Sequence, residues 1–266
     1  MRLFRYPEDR LPVLLIVGLS LADLTLFFLS DNRWLITGWV LIGLAPKACI
    51  CAWNHHHQHV ATFRYVILNR ALEIIYALHT GITTNAWVLH HVLGHHLNYL
   101  DQDKDESGWR RSDGRTMGTL EYTLTIAVTG YPRAWQLANR HTRYRTAFLG
   151  MGALTLVLLI TLLYVNTFNT ICLFLIPMVV GYVSTCWHTY YHHAGLNTSN
   201  HHEASYNIVH KWYNILTGNL GYHTAHHMKA GLHWSKLPAY HEEIAGSIPP
   251  NLYRVPCFPF RWMPAH

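Results

Sequence analysis

Charge is what this 266-residue chain has least of: Asp, Glu, Lys and Arg together make up only 13% of it, about half the ~25% usual in soluble globular domains. That shortage argues against an ordinary water-soluble enzyme. Cysteine is sparse too. There are five, and Cys49, Cys51, Cys172 and Cys186 lie in apolar stretches, so no disulfide framework is expected. A Rossmann glycine fingerprint, a haem-attachment motif and a cysteine-rich cluster are all missing, which leaves any electron-transfer cofactor to another protein. No internal repeat, low-complexity tract or linker divides the chain, and its length suits one domain covering residues 1–266. Disorder is excluded by a 50% apolar and 13% aromatic content. Acidic residues are outnumbered, 14 against 20 basic, for a formal charge of +6. With so much apolar sequence, this balance favours an anionic bilayer surface as partner and no nucleic acid.

Four apolar runs are each long enough to cross a ~30 Å hydrocarbon core as a helix. They are Leu11 to Ser30, Trp34 to Trp53, Thr146 to Val165 and Thr170 to Trp187. Short polar breaks separate the first two and the last two, which predicts two helical hairpins. The first run is too long for a signal-peptide core and has no small-residue cleavage site after it, so it is read as retained. Basic residues flank the spans on one side. Arg2, Arg5 and Arg10 precede the first, Lys104 to Arg145 lie between the hairpins, and Lys211 to Arg261 follow the last, whereas the hairpin tips carry only Arg33. The positive-inside rule then places both termini and the middle segment in the cytoplasm. Lys47, near the cytoplasmic end of its span, is expected to snorkel, and Asp23 to hydrogen-bond a neighbouring helix. Val66 to Leu89 and Met117 to Gly130 carry charges and are read as interfacial or re-entrant helices. The predicted fold class is therefore all-α, an integral membrane protein of four transmembrane helices with a cytoplasmic helical cap.

Histidine is the residue in excess, with 22 copies. The copies gather at cytoplasmic span ends. His55, His56, His57 and His59 follow the second span. His90, His91, His95 and His96 form a second group, and His223, His226 and His227 a third. Between the last two, His188, His192 and His193 close the fourth span. Pairs such as His55/His59 and His91/His95 are one helical turn apart, so two imidazoles can converge on one ion. Neutral imidazole suits Fe, Zn, Cu or Ni, and three such boxes on one predicted face point to a dimetal site.

H-x-x-x-H at 55–59, H-x-x-x-H-H at 91–96 and H-x-x-H-H at 223–227 resemble the three histidine boxes of the integral-membrane fatty acid desaturase/hydroxylase superfamily. The segment Tyr190 to Leu196 is similar to the extra histidine segment of those enzymes, and the likeness covers roughly Trp53 to Ile244. The resemblance implies two iron ions, ferrous when reduced, held by histidine alone. It also implies O2 as co-substrate and attack on an unactivated C–H bond of a fatty acid or acyl thioester. The implied ligands are His55, His59, His91, His95, His96, His193, His223, His226 and His227. His56, His57, His90, His188 and His192 remain open as alternates. His201, His202 and Glu203 stand as further alternates or as groups that orient a ligand. Electrons would come from a separate ferredoxin, rubredoxin or cytochrome-type donor with its reductase. Desaturation is the expected outcome, with hydroxylation or terminal-alkene-forming decarboxylation as alternatives. Thr189 and His192 stand where alkane-hydroxylating relatives carry other polar residues, so the resemblance does not select the product.

A histidine-rich membrane metal-binding or transport protein is the competing class. Transport needs polar residues across the bilayer, and the four spans hold only Asp23 and Lys47 as charges. The acidic run Asp101 to Glu106 is either a solvated loop or a source of carboxylates that orient the second box.

Overall fold

A computed structural model describes residues 2–264, and within them the chain is helical, with isolated β-bridges the only extended pairing. In chain order the α-helices are α1 (Arg10–Leu29), α2 (Arg33–His59), α3 (Val66–Thr80), α4 (Thr119–Arg140), α5 (Thr142–Val165), α6 (Thr167–Thr170), α7 (Ile176–His193), α8 (Lys211–Thr217), α9 (His223–Met228) and α10 (Leu237–Ile244). Two further stretches, Val88–His96 and Ile171–Leu175, are π-helical.

Four helices among the described residues are long and apolar enough to cross a membrane: Pro7–Leu29, Arg33–His59, Thr142–Val165 and Thr167–His193. They coincide with the four runs read from the sequence, and α3 and α4 are not among them. Their outward residues are apolar. In α5 only Phe148, Thr155 and Leu159 are buried, while Leu154, Leu156, Val157 and Ile160 are exposed, the pattern of a helix whose surroundings are lipid rather than water.

The chain divides into two compact units. In the first, residues 2–87 and 138–184, one apolar cluster joins Val13 and Ile16 of α1 to Ile50 of α2 and to Leu72 and Tyr76 of α3. A second joins Phe27, Ile36, Val40 and Leu159 to Leu173 and Phe174. Asn32 caps α2, its side-chain oxygen accepting from the amides of Trp34 and Leu35. Gly81 ends α3 in the left-handed region at φ 67°, and a Cβ there would lie 2.7 Å from the Met178 carbonyl oxygen.

Lys47 departs from expectation. Its Nζ lies 2.8 Å from both carboxylate oxygens of Asp23, with both side chains essentially inaccessible. Trp39 Nε1 donates to the same carboxylate at 2.7 Å. An unpaired charge in this interior is costly, and the acid on α1 is a nearer partner than the interface.

The second unit, residues 88–137 and 185–264, packs Ala225 of α9 against Leu237, Ile244, Ile248 and Leu252. Two helical segments differ from the sequence reading. The stretch from Val66 to Leu89 breaks at Gly81 instead of continuing, and Met117 to Gly130 becomes the longer α4.

Candidate metal centre

Each unit presents histidines. In the first, α2 runs six residues beyond Trp53, so the first box is carried on regular helix. His55 and His59 then meet with their Nε2 atoms 3.1 Å apart. His57 turns the other way: its Nδ1 lies 2.9 Å from Thr62 Oγ1 and its Nε2 3.3 Å from Glu73 Oε1. His56 is buried with its ring beside those of His55 and Trp53.

In the second unit the second box lies on the π-helical stretch, where neighbours across a turn are five residues apart rather than four. His91 Nε2 accordingly faces His96 Nε2 at 3.0 Å, a pairing the i,i+4 reading does not give. His95 is released toward a different set, its Nε2 lying 3.3 Å from that of His193. From His193 the contacts continue, Nε2 to Nε2, to His223 at 3.0 Å and on to His227 at 3.2 Å.

Two groupings result within this unit. Ring nitrogens of His95, His193 and His227 lie within 4.8 Å of one another, and so do those of His91, His96 and His226. The groups adjoin, with the rings of His96 and His227 stacked at 4.1 Å.

Local contacts aim these rings. Asp105 Oδ1 accepts the Nδ1 proton of His95 at 2.8 Å, and the Ala204 carbonyl accepts that of His193 at 3.0 Å. Asp105 is itself held by the Ser107 amide, and it is the one buried carboxylate of the acidic run. On α9, Thr224 is gripped by Asn207, whose Oδ1 accepts its amide and whose Nδ2 donates to its hydroxyl. This grip fixes the rotation that presents His223, His226 and His227.

The donor set passes a simple test for a cation. A neutral imidazole has one N–H. Because carboxylate and carbonyl oxygens can only accept here, Nδ1 carries that proton in His95 and His193, and both Nε2 atoms keep lone pairs. Two lone pairs facing at 3.3 Å repel each other. Further along the same chain of contacts, burial, and then the neighbouring imidazoles, hold His223 and His227 well below the ordinary histidine range, so added protons are disfavoured on those two rings. His223 and His227 also each bury an Nδ1 that has no hydrogen-bond partner among the described residues. A metal ion between the Nε2 atoms removes the repulsion, and an all-imidazole set suits Fe, Zn, Cu or Ni.

The remaining histidines are otherwise engaged. His192 gives Nδ1 to the Tyr206 carbonyl, has Nε2 3.2 Å from the Tyr213 hydroxyl and stacks on His223 at 4.0 Å. His188 packs on Trp187, and His90 is buried outside both groupings. His201 bonds the Tyr99 hydroxyl, and His202 bonds Asn200. Glu203 accepts from Thr198 and Asn200 in its own loop. Tyr99, whose ring lies 4.4 Å from that of His227, went unnoticed in the sequence; its position three residues after His96 is the only signal that marks it.

Among the described residues, helices long and apolar enough to span a membrane and buried groupings of imidazoles together mark a membrane protein with a histidine-lined metal centre. The family model for fatty acid desaturases matches residues 32–259, a stretch that contains all of these histidines. The chain belongs to the fatty acid desaturase family and is by that membership an oxidoreductase of the desaturase/hydroxylase type. No curated protein and no solved structure matches it.

Proposed function

We propose that this protein is an O2-dependent di-iron enzyme that desaturates a fatty acyl chain at the membrane. The observation that supports this most directly is the convergence of Nε2 atoms from the π-helical stretch, the end of α7 and α9. In this reading His95, His193, His223 and His227 serve one ion. His91, His96 and His226 serve the other, and His55 and His59 complete the set of nine. Bound there, iron would supply the dioxygen activation that removal of hydrogen from an unactivated C–H bond requires.

The chain's own residues do the rest. Asp105 and the Ala204 carbonyl hold the Nδ1 protons of His95 and His193, which fixes both tautomers and keeps both Nε2 atoms available. Burial of eight of the nine imidazoles, all but the half-buried His59, keeps bulk water from competing with the substrate chain for the site. Both termini and the metal site face the cytoplasm, with the spans forming two hairpins. A separate ferredoxin, rubredoxin or cytochrome-type protein delivers the electrons.

Purified protein loaded with ferrous iron, given O2, a reductant and fatty acid or acyl thioester, tests this reading. A product poorer by two hydrogens is expected. One richer by an oxygen points to a hydroxylase, and one lacking the carboxyl carbon to an alkene-forming decarboxylase. Protein that holds only zinc, and is inert after iron loading, overturns all three.

A further inference from the structure

Four histidines crowd the last turn of α2, and the structure treats them unequally. At 100° per residue, Asn54, His57 and Gln58 occupy one arc of the helix and His55 and His59 the adjoining one. The first arc is fully tied. Asn54 Nδ2 donates to Thr80 Oγ1 at 3.0 Å and to the Ile82 carbonyl at 3.2 Å. Gln58 donates to Asn54 Oδ1 and accepts from the Trp87 amide. His57 is held between Thr62 and Glu73.

Glu73, on α3, is the centre of this network. It is buried, and beyond His57 its Oε2 accepts from Arg70 Nη1 and Thr84 Oγ1, both at 2.6 Å. Apolar packing would hold α2 against α3 with some rotational slack. A buried carboxylate with three directional donors does not tolerate that slack, because each lost bond leaves a buried polar group unpaired.

We propose that Glu73 is a positioning residue. By holding His57 it sets the rotation of the last turn of α2, aims His55 and His59 together, and removes His57 as a competing ligand. This inference rests on the reading above that His55 and His59 are metal ligands.

The test uses the full-length protein in detergent, loaded with ferrous iron without oxygen and titrated with a competing chelator. Glu73→Ala is expected to weaken one of the two ions by about tenfold or more, the usual cost of losing a group that orients a ligand, and to leave the other near its original affinity. Glu73→Gln keeps one oxygen to accept from His57 Nε2, and its amide nitrogen can donate to the Thr84 hydroxyl in place of the second oxygen, so it is expected to recover most of the loss. A purely structural role would instead lower the melting temperature of iron-free Glu73→Ala protein and weaken both ions alike, and that result overturns the proposal. Should Glu73→Ala fail to fold, Thr84→Val and Thr62→Val each remove one bond of the same network and carry the same expectation at smaller size. His55→Ala is the control. If it retains both ions, the ligand reading itself is wrong; if it loses one while Glu73→Ala loses none, only the role of Glu73 is wrong.

Discussion

His91 and His96 face each other, Nε2 to Nε2 at 3.0 Å, because the segment between them is π-helical. His95, whose ring stacks on that of His91 at 5.1 Å, directs its Nε2 toward His193 instead. One segment therefore serves both groupings of imidazoles, His91 and His96 in one and His95 in the other.

That geometry depends on Gly94, inside the π-helical stretch. A Cβ there would lie 2.5 Å and 2.9 Å from Glu106 Cγ and Cβ, and 3.1 Å from Leu137. Gly94→Ala is expected to cost about 1–3 kcal/mol through overpacking and to lower bound metal. Thermal unfolding alongside metal analysis checks both effects, and unchanged values in both would show that the segment yields easily.

Asp105 holds the tautomer of His95. Asp105→Ala is expected to weaken metal binding by about 10- to 100-fold, whereas Asp105→Asn, which still offers an oxygen to Nδ1–H, loses less. Chelator competition on the two variants gives the order, and equal losses would argue that charge rather than orientation matters.

His226 and His227 lie one in each grouping. His226→Ala and His227→Ala are each expected to abolish product formation and to lower bound iron. Full activity at unchanged iron content in either variant would place the centre elsewhere.

The Asp23–Lys47 pair makes a prediction about stability alone. Asp23→Ala leaves the Lys47 ammonium buried without its carboxylate, at an expected cost of about 3–5 kcal/mol. Changing both residues, as Asp23→Leu with Lys47→Met, is expected to recover most of that. Thermal melts of the three proteins in detergent measure it, and a double variant no better than the single one would count against the pair as the cause.

Much of this protein is legible in its sequence. Four apolar runs of membrane-crossing length, charge-poor composition and histidine pairs one turn apart are local properties, and local periodicity determines them before any packing occurs. Which of several adjacent histidines turns toward a shared point is not local. Neighbouring residues differ by 100° around a helix, so the choice between His192 and His193, or between His57 and its neighbours, falls to contacts made elsewhere: the Tyr206 and Ala204 carbonyls, Tyr213, and Glu73. The same holds for the π-helical turn, for Asp105 among six consecutive polar residues, and for Lys47, which pairs with an acid 24 positions away. Which elements form, and which residue type does the chemistry, are properties of short stretches of chain. The rotation of those elements and the partners of their buried polar groups come from folding, because both are fixed by contacts between segments far apart in the chain.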